Sequence, residues 1–400
     1  MHFLTLLIFA FISFKAISSD VNEELKYNEF RSSLATSSFV LLNLNQSEQK
    51  LFVDALEDAL HEGFDSYKIP NQPNFSLIER LRLEILKLKF QKTLFMDPEL
   101  VKEILSALNQ ESIEERFTYI LSANEQLFLD IGEFNLVSSA KKHSSYFHLS
   151  HKKEKNTEIE KTIVTDLYFN TPAINNYKLG KYKDSVKIYM FCRTNRLFPC
   201  LLVMRDLNGK EIRNPDQSLW SHPVLASSKH GLPSFERNGN TPAGIFTIDS
   251  VMPNTDQQKS FGNFRRMMLN FIPKSKDESL LKSLLPKSSW QHSWWSASPV
   301  ARDIGRSLFR IHGTGEINTD PNAPFYPFIR TSGCIANKEN TYDGVTYQDQ
   351  RILLDSIMIA LKLKASYANE VKIKGVLYLV EINEIPRAVS LEDLHDFEIR

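Results

Sequence analysis

The sequence predicts an α+β chain: a helical N-terminal domain, a polar linker and a β-rich C-terminal domain. Three observations carry this reading. Apolar residues recur at helical spacing up to about residue 135. The stretch SSAKKHSSYFHLSHKKEKNTEIEKT, 138–162, then shifts to Lys, Ser and His. From about Ser185 the apolar runs shorten to strand length, with turn residues between them. A chain of 400 residues fits two or three domains at roughly 150 each. The boundaries that follow are 1–19 for an export signal, 20–137 for the helical domain, 138–184 for the linker, 185–385 for the β-rich domain and 386–400 for a C-terminal tail.

The first element is the signal. Phe3 to Phe14 is an apolar run of 12 residues, too short to span a bilayer, and Ala16-Ile17-Ser18 resembles a cleavage site. The segment before the run carries His2 where Lys or Arg is usual, so an uncleaved interfacial anchor is the alternative. No cysteine lies near the cleavage site, and no later apolar run reaches about 18 residues, so no transmembrane anchor is expected after cleavage. Lys plus Arg total 48, as do Asp plus Glu, which gives nucleic acid no electrostatic hold.

The helical domain is read from its caps. Asn45 with Glu48 resembles a capping box, followed by one face of Leu51, Phe52, Ala55, Leu56, Ala59 and Leu60 and a stop at Gly63. Ser76 opens a second helix with Leu77, Leu81, Ile85, Leu88 and Phe95. A third starts at Pro98, and Ser112 with Glu115 caps a fourth ending near Gly132. Four amphipathic helices suggest a small bundle, structural or docking a protein partner, with no chemistry of its own. In the linker, His143, His148 and His151 lack an acidic or Cys ligand at useful spacing, so no metal site is expected.

In the β-rich domain the runs place strands at 186–193, 198–205, 245–251, 267–272, 307–312 and 374–382. Leu207-Asn208-Gly209, Asn238-Gly239-Asn240 and Pro273 mark turns between them. One helix, Asp349 to Leu363, is expected to bury Ile352, Leu353, Ile357, Ile359 and Ala360. Cys192 and Cys200 sit on two runs joined by RTNRL, a hairpin that either closes a disulfide or packs two reduced thiols. In an exported chain the third cysteine, Cys334, is a candidate reactive thiol.

Chemistry concentrates in FRIHGTGEINTDPNAPFYPFIRTSGCIANKE, Phe309 to Glu339. A thiol becomes a nucleophile as thiolate, and a neighbouring imidazole can take its proton. His312 ends an apolar strand, and Gly313 lets the chain turn away. Cys334 follows Thr331-Ser332-Gly333, where glycine allows close backbone approach, and the backbone N–H groups around Gly333 and Cys334 would suit an oxyanion. Taken alone, these residues are better read as a buried core histidine and a packed thiol.

The wider pattern changes that. His-Gly-Thr, then Thr-Ser-Gly-Cys-Ile with 22 positions between His312 and Cys334, resembles the active site of the YkuD-type L,D-transpeptidases. NGNTPAGIFTIDSVMP, Asn238 to Pro253, resembles that family's Thr-Pro-x-Gly-x-Phe strand entry. HPVLASSKHG, His222 to Gly231, resembles the strand and turn before it. The resemblance covers about residues 185–383. It implies a mainly antiparallel β-sandwich and an enzyme of the periplasm or cell envelope acting on peptidoglycan stem peptides, without a cofactor. Cys334 would be the nucleophile and His312 the general base. The Gly313 carbonyl would orient the imidazole, and the Gly333–Cys334 turn would hold the oxyanion. Thr331, Ser332, Arg330, Asn337 and Trp294 would contact substrate.

The chain also departs from the family. The His–Cys loop through Asn318–Pro327 is longer, Ser332 replaces a common His or Lys, and Ala336 replaces the usual Arg or Asn. Arg330, Asn337 and Lys338 are candidate substitutes for that lost polar group. The implied reaction is 3→3 crosslinking or exchange of the terminal residue, with stem-peptide hydrolysis (an L,D-carboxypeptidase) as the alternative and an inactive wall-binding module as a second. WQHSWWSASP, Trp290 to Pro299, holds three of the four tryptophans where the family carries an insertion over its cleft; His292 is read as incidental. Papain-like peptidases place Cys before His, and sortases place His much further upstream, so neither pattern fits.

Overall fold

The structure is a computed structural model that describes residues 19–35, 44–61, 63, 67–69, 74–110, 115–143, 157–172, 184–234, 238–272, 278–292 and 294–400. The export signal falls almost wholly outside them, as do Ser112, His148 and His151. Among the described residues no helix is long and apolar enough to cross a membrane. The chain divides into two compact units, Met1–Ser144 and Ser145–Arg400.

The first unit is helical. Gln46–His61 opens with the expected capping box: Glu48 N donates to Asn45 Oδ1 at 3.1 Å and Asn45 N to Glu48 Oε2 at 3.2 Å. Leu51, Phe52, Ala55, Leu56, Ala59 and Leu60 are all buried. Leu77–Phe90 is capped by Ser76, and Pro98–Leu108 by Asp97 with Pro98 in its first turn. Three details differ from the sequence reading. Leu77–Phe90 stops before Phe95, which is 80% exposed, because Lys92 adopts a left-handed φ of 54°. The fourth helix is broken into Glu115–Ala123 and Glu125–Asp130, and Phe134–His143 follows. An earlier helix, Ser19–Ala35, buries Tyr27, Phe30 and Leu34, with Phe30 edge-on to Phe52 at 6.1 Å.

The second unit is built on an eight-stranded, mostly antiparallel sheet. Its strands are β1 (Val186–Arg193), β2 (Cys200–Arg205), β3 (Ser221–Val224), β4 (Gly244–Val251), β5 (Met267–Phe271), β6 (Phe309–His312), β7 (Ile335–Ala336) and, after a two-stranded ribbon of β8 (Glu339–Tyr342) and β9 (Val345–Gln348), β10 (Gly375–Ile382). The order is β3-β2-β1-β10-β4-β5-β6-β7, with parallel pairs at β1–β10 and β6–β7. The sandwich implied above is not two stacked sheets. Leu225, just beyond β3, exchanges both backbone hydrogen bonds with Ala336 of β7, so the two edges of one sheet meet. An edge paired in this way leaves no open ladder at that point.

Both faces of the central strands are covered, which is why β1 and β10 read as continuous apolar runs. The inner face packs Ile188, Met190, Leu202, Phe246, Ile311, Ile335 and Leu377 around the helix Asp349–Ala360. That helix buries Leu353, Leu354, Ile357, Met358 and Ala360, whereas Ile352 and Ile359, expected inside, are half or more exposed. Its apolar residues span more than one stripe, and the curved sheet takes the stripe of Leu353 and Leu354 with Ile357 and Met358. The outer face packs Tyr189, Phe191, Val203, Tyr378 and Val380 under the helix Thr157–Asn170. Residues 386–400 join this layer through Val389, Leu394, Phe397 and Ile399. Buried Arg193 anchors them on Asp393 at 2.7 Å. Cys192 and Cys200 lie opposite one another across β1 and β2 and form a disulfide.

Candidate active site

The register of β6 and β7 sets the site. Ile311 pairs with Ile335 and His312 with Ala336, in parallel. Side chains alternate along a strand, so Ile311 and Ile335 point into the inner core. Arg310, His312 and Cys334, the residue just before β7, therefore share the opposite face. Arg266 precedes β5, and Met268 pairs with Arg310, which extends the same face across a third strand. The outer face is thus apolar over β1, β2 and β10, and carries polar side chains over β4 to β6, where Thr247, Asp249, Asn270, Arg266, Arg310 and His312 stand.

His312 is buried. Its Nδ1 lies 2.5 Å from the Gly313 carbonyl, so Nδ1 carries the proton and donates, and Nε2 keeps its lone pair. The ring meets the edge of Phe261 at 5.2 Å. Burial pushes the imidazole down to about 3, and the Arg310 and Arg266 guanidiniums push the same way, while the Gly313 bond opposes them. His312 is therefore neutral near pH 7, the form a general base requires.

Cys334 is not part of a disulfide, and the residue is 9% exposed. Its Sγ donates to the Leu308 carbonyl at 3.8 Å, and Leu308 turns that carbonyl with a left-handed φ of 63°. The Cys turn is braced from several sides. Thr331 Oγ1 donates to the Cys334 carbonyl at 2.7 Å, and Thr241 Oγ1 to the Gly333 carbonyl at 2.8 Å. Lys229 N donates to the Thr331 carbonyl at 2.7 Å. Gly333 adopts φ of 107°, and a Cβ there would lie 2.6 Å from the Gly239 carbonyl, so only glycine fits. Beneath the turn, Arg306 donates to the carbonyls of Gly239 at 2.7 Å and Asn240 at 2.9 Å, and stacks on Phe309. The Asn238–Pro242 motif thus holds the floor of the cysteine turn.

The remaining expected site residues divide. Thr331 and Ser332 flank the turn, both partly exposed. Arg330 lies over the Phe325 ring at 5.1 Å. Asn337 is a correction: it is fully buried and points inward, with Oδ1 2.7 Å from His222 Nε2, Nδ2 donating to Gln350 at 2.6 Å, and its backbone N donating to the His312 carbonyl. A side chain consumed this way cannot grip a substrate. Lys338 pairs with Asp349 at 3.3 Å and lies over Tyr347. Ala336 is sealed between Leu225 and Phe328. Trp294 packs against the apolar part of the outer face and is not among the residues gathered at the Cys turn. Among the described residues no group of three His, Cys, Asp or Glu side chains could hold a metal ion.

Sequence reasoning missed Arg306, Arg310, Phe261 and Glu339. Arg310 was within reach, two positions before His312 on a strand and so on the same face. A scan against protein-family models, a search of curated proteins and a search of solved structures returned no match for this chain.

Proposed function

We propose that the second unit is an L,D-transpeptidase-like domain, a thiol acyltransferase of peptidoglycan stem tetrapeptides. The observation that carries the reading is the pairing of β6 with β7, which puts His312 and Cys334 on one face with His312 Nε2 unprotonated. In the proposed reaction His312 takes the thiol proton, and the thiolate attacks the carbonyl of the third, diamino acid residue. The Gly333–Cys334 backbone N–H groups hold the oxyanion. Collapse breaks the bond to the terminal D-alanine, whose amine leaves with the proton from His312. An amine of a second stem then attacks the thioester, gives a proton to His312 and displaces Cys334, forming a 3→3 crosslink. The disulfide at Cys192–Cys200 supports an oxidising compartment, as the periplasm or cell envelope is.

Hydrolysis of the thioester is the second reading, and Ala336 favours it. The position that carries a polar side chain in the resembling family is here an apolar plug, with Asn337 beside it turned inward. Incubation of the full-length mature chain with purified disaccharide tetrapeptides, followed by mass spectrometry, tests both. Crosslinked dimers with released D-alanine support transfer, and tripeptide alone supports hydrolysis. Unchanged substrate, with a folded protein, removes both and leaves a wall-binding module. The helical unit is proposed to dock a protein partner. Its buried charges are engaged internally, as where Arg82 meets Asp54 at 2.6 Å and Glu79 at 2.9 Å.

A further inference from the structure

A buried carboxyl group lies against the site and has no role in the reaction as written. Glu339 opens β8, five residues after Cys334, and is 2% exposed. Its Oε2 accepts from the backbone N of Asn263 at 2.7 Å and from Asn263 Nδ2 at 3.1 Å. Its Oε1 is equally enclosed and finds no hydrogen-bond donor among the described residues. That oxygen presses on Gly313: a Cβ on Gly313 would lie 1.9 Å from Oε1, and one on Gly262 would lie 2.6 Å from Oε2. Two glycines thus make a cradle the size of one carboxyl group. One wall of it is the residue whose carbonyl holds the His312 ring.

The surroundings of His312 oppose a positive charge on its ring. A thiolate–imidazolium pair needs His312 to carry a proton. Burial and the guanidiniums of Arg310 and Arg266 oppose that charge. The groups shown to act on Glu339 are acidic or neutral. Asp349 repels it and is paired with Lys338, Gln348 is its register partner on β9, and Asn263 is neutral. A buried charge needs compensation close by. We propose that Glu339 is a positioning residue of the Cys334–His312 pair, its carboxylate supplying the negative charge that lets His312 hold the proton taken from Cys334. This rests on the acyl-transfer reading above. Glu339 acts through Gly313 and through its field, and touches no reacting atom. The enclosure that makes the charge effective also raises the carboxyl above its usual range. The activation therefore fades as pH falls and the carboxyl gains its own proton.

The test follows alkylation of Cys334 by iodoacetamide in the full chain from pH 5 to 10, with peptide mapping and melting curves. Glu339→Gln keeps the shape and an acceptor for Asn263 but removes the charge. It should slow alkylation at pH 7 at least tenfold, move the acid limb to higher pH and leave the rate at pH 10 unchanged, with Glu339→Asp recovering part of the loss. Asn263→Ala keeps the charge but removes one donor to it, and should move the acid limb the same way by a smaller amount. It serves if Glu339→Gln does not fold. Profiles of the variants that superimpose on an activated wild type overturn the proposal. So does an equal loss at every pH with a lowered melting temperature, which marks bracing alone. A wild-type Cys334 that titrates like an ordinary thiol, near pH 8.5, instead removes the ion pair and the acyl-transfer reading beneath it.

Discussion

His312 and Ala336 are register partners on the parallel strands β6 and β7, and this places Cys334, two residues before Ala336, diagonally across from the imidazole. Two strands joined by a long loop converge at one point of the sheet. The distance in sequence between His312 and Cys334 is therefore irrelevant to their meeting. Within the loop that joins them, Asn318 donates to the Phe328 carbonyl at 2.9 Å.

Replacing Cys334 by alanine should abolish turnover and lower stability by about 1 kcal/mol or less, since a single sulfur is removed from a nearly enclosed position. Product formation from muropeptides and a urea melt check the two halves of this expectation. Retained turnover would contradict it.

Replacing His312 by glutamine should lower thiol reactivity near neutral pH and also change how stability depends on pH. The imidazole titrates near 3 in the folded chain and near 6.5 when unfolded. Between those values the unfolded chain binds a proton that the folded chain does not, so stability is full above 6.5 and falls as pH drops through that window. About 2 kcal/mol is lost from this group by pH 5. The glutamine variant should show a smaller difference between melts at pH 7 and pH 5, and an identical difference would refute the buried neutral imidazole.

Ala336→Arg should destabilise the fold rather than restore a substrate grip. Ala336 has no exposed surface and is packed by Leu225 and Phe328 on the strand that joins the two sheet edges. An arginine there is overpacked and its charge buried, at a cost of about 3 kcal/mol or more. A variant with an unchanged melting temperature and a higher ratio of crosslinked to trimmed product would show that the position opens to the cleft after all.

Reduction of Cys192–Cys200, or replacement of both by alanine, should cost about 2–3 kcal/mol for a loop this short. The pair lies in the inner core beside Leu202 and Met204, so part of the loss is packing. Denaturant melts with and without reductant measure it, and no shift would place the two thiols outside the stability of the unit.

Much of this was legible in the residues, and the failures have physical causes. Asn45 with Glu48 announced a helix because a capping box is local chemistry. The long strands announced themselves by apolar runs that only a sheet covered on both faces needs. Asp343-Gly344 carried the usual signal of a two-residue hairpin, both residues having positive φ, and was overlooked between β8 and β9. Ile352 and Ile359 were misplaced because the helix is apolar on more than one side, and only the shape of the sheet decides which side is covered. His312 and Cys334 stood out by motif. Arg306 and Glu339 did not, since neither holds a local pattern and both act through backbone brought in from elsewhere. Asn337 was misread because a polar residue beside a motif looks available until the network of His222 and Gln350 is seen to consume it.

Cys334 is proposed to carry the acyl group, and intact-mass measurement of the chain during turnover decides whether it does. Acid-quenched mixtures with disaccharide tetrapeptide, or with a carbapenem as a strained acyl donor, should show the protein heavier by one acyl unit. Peptide mapping should place the adduct on the peptide containing Cys334, hydroxylamine should release it, and Cys334→Ala should lack it. Turnover without any adduct, or an adduct at another residue that persists in Cys334→Ala, would show that Cys334 is not the nucleophile.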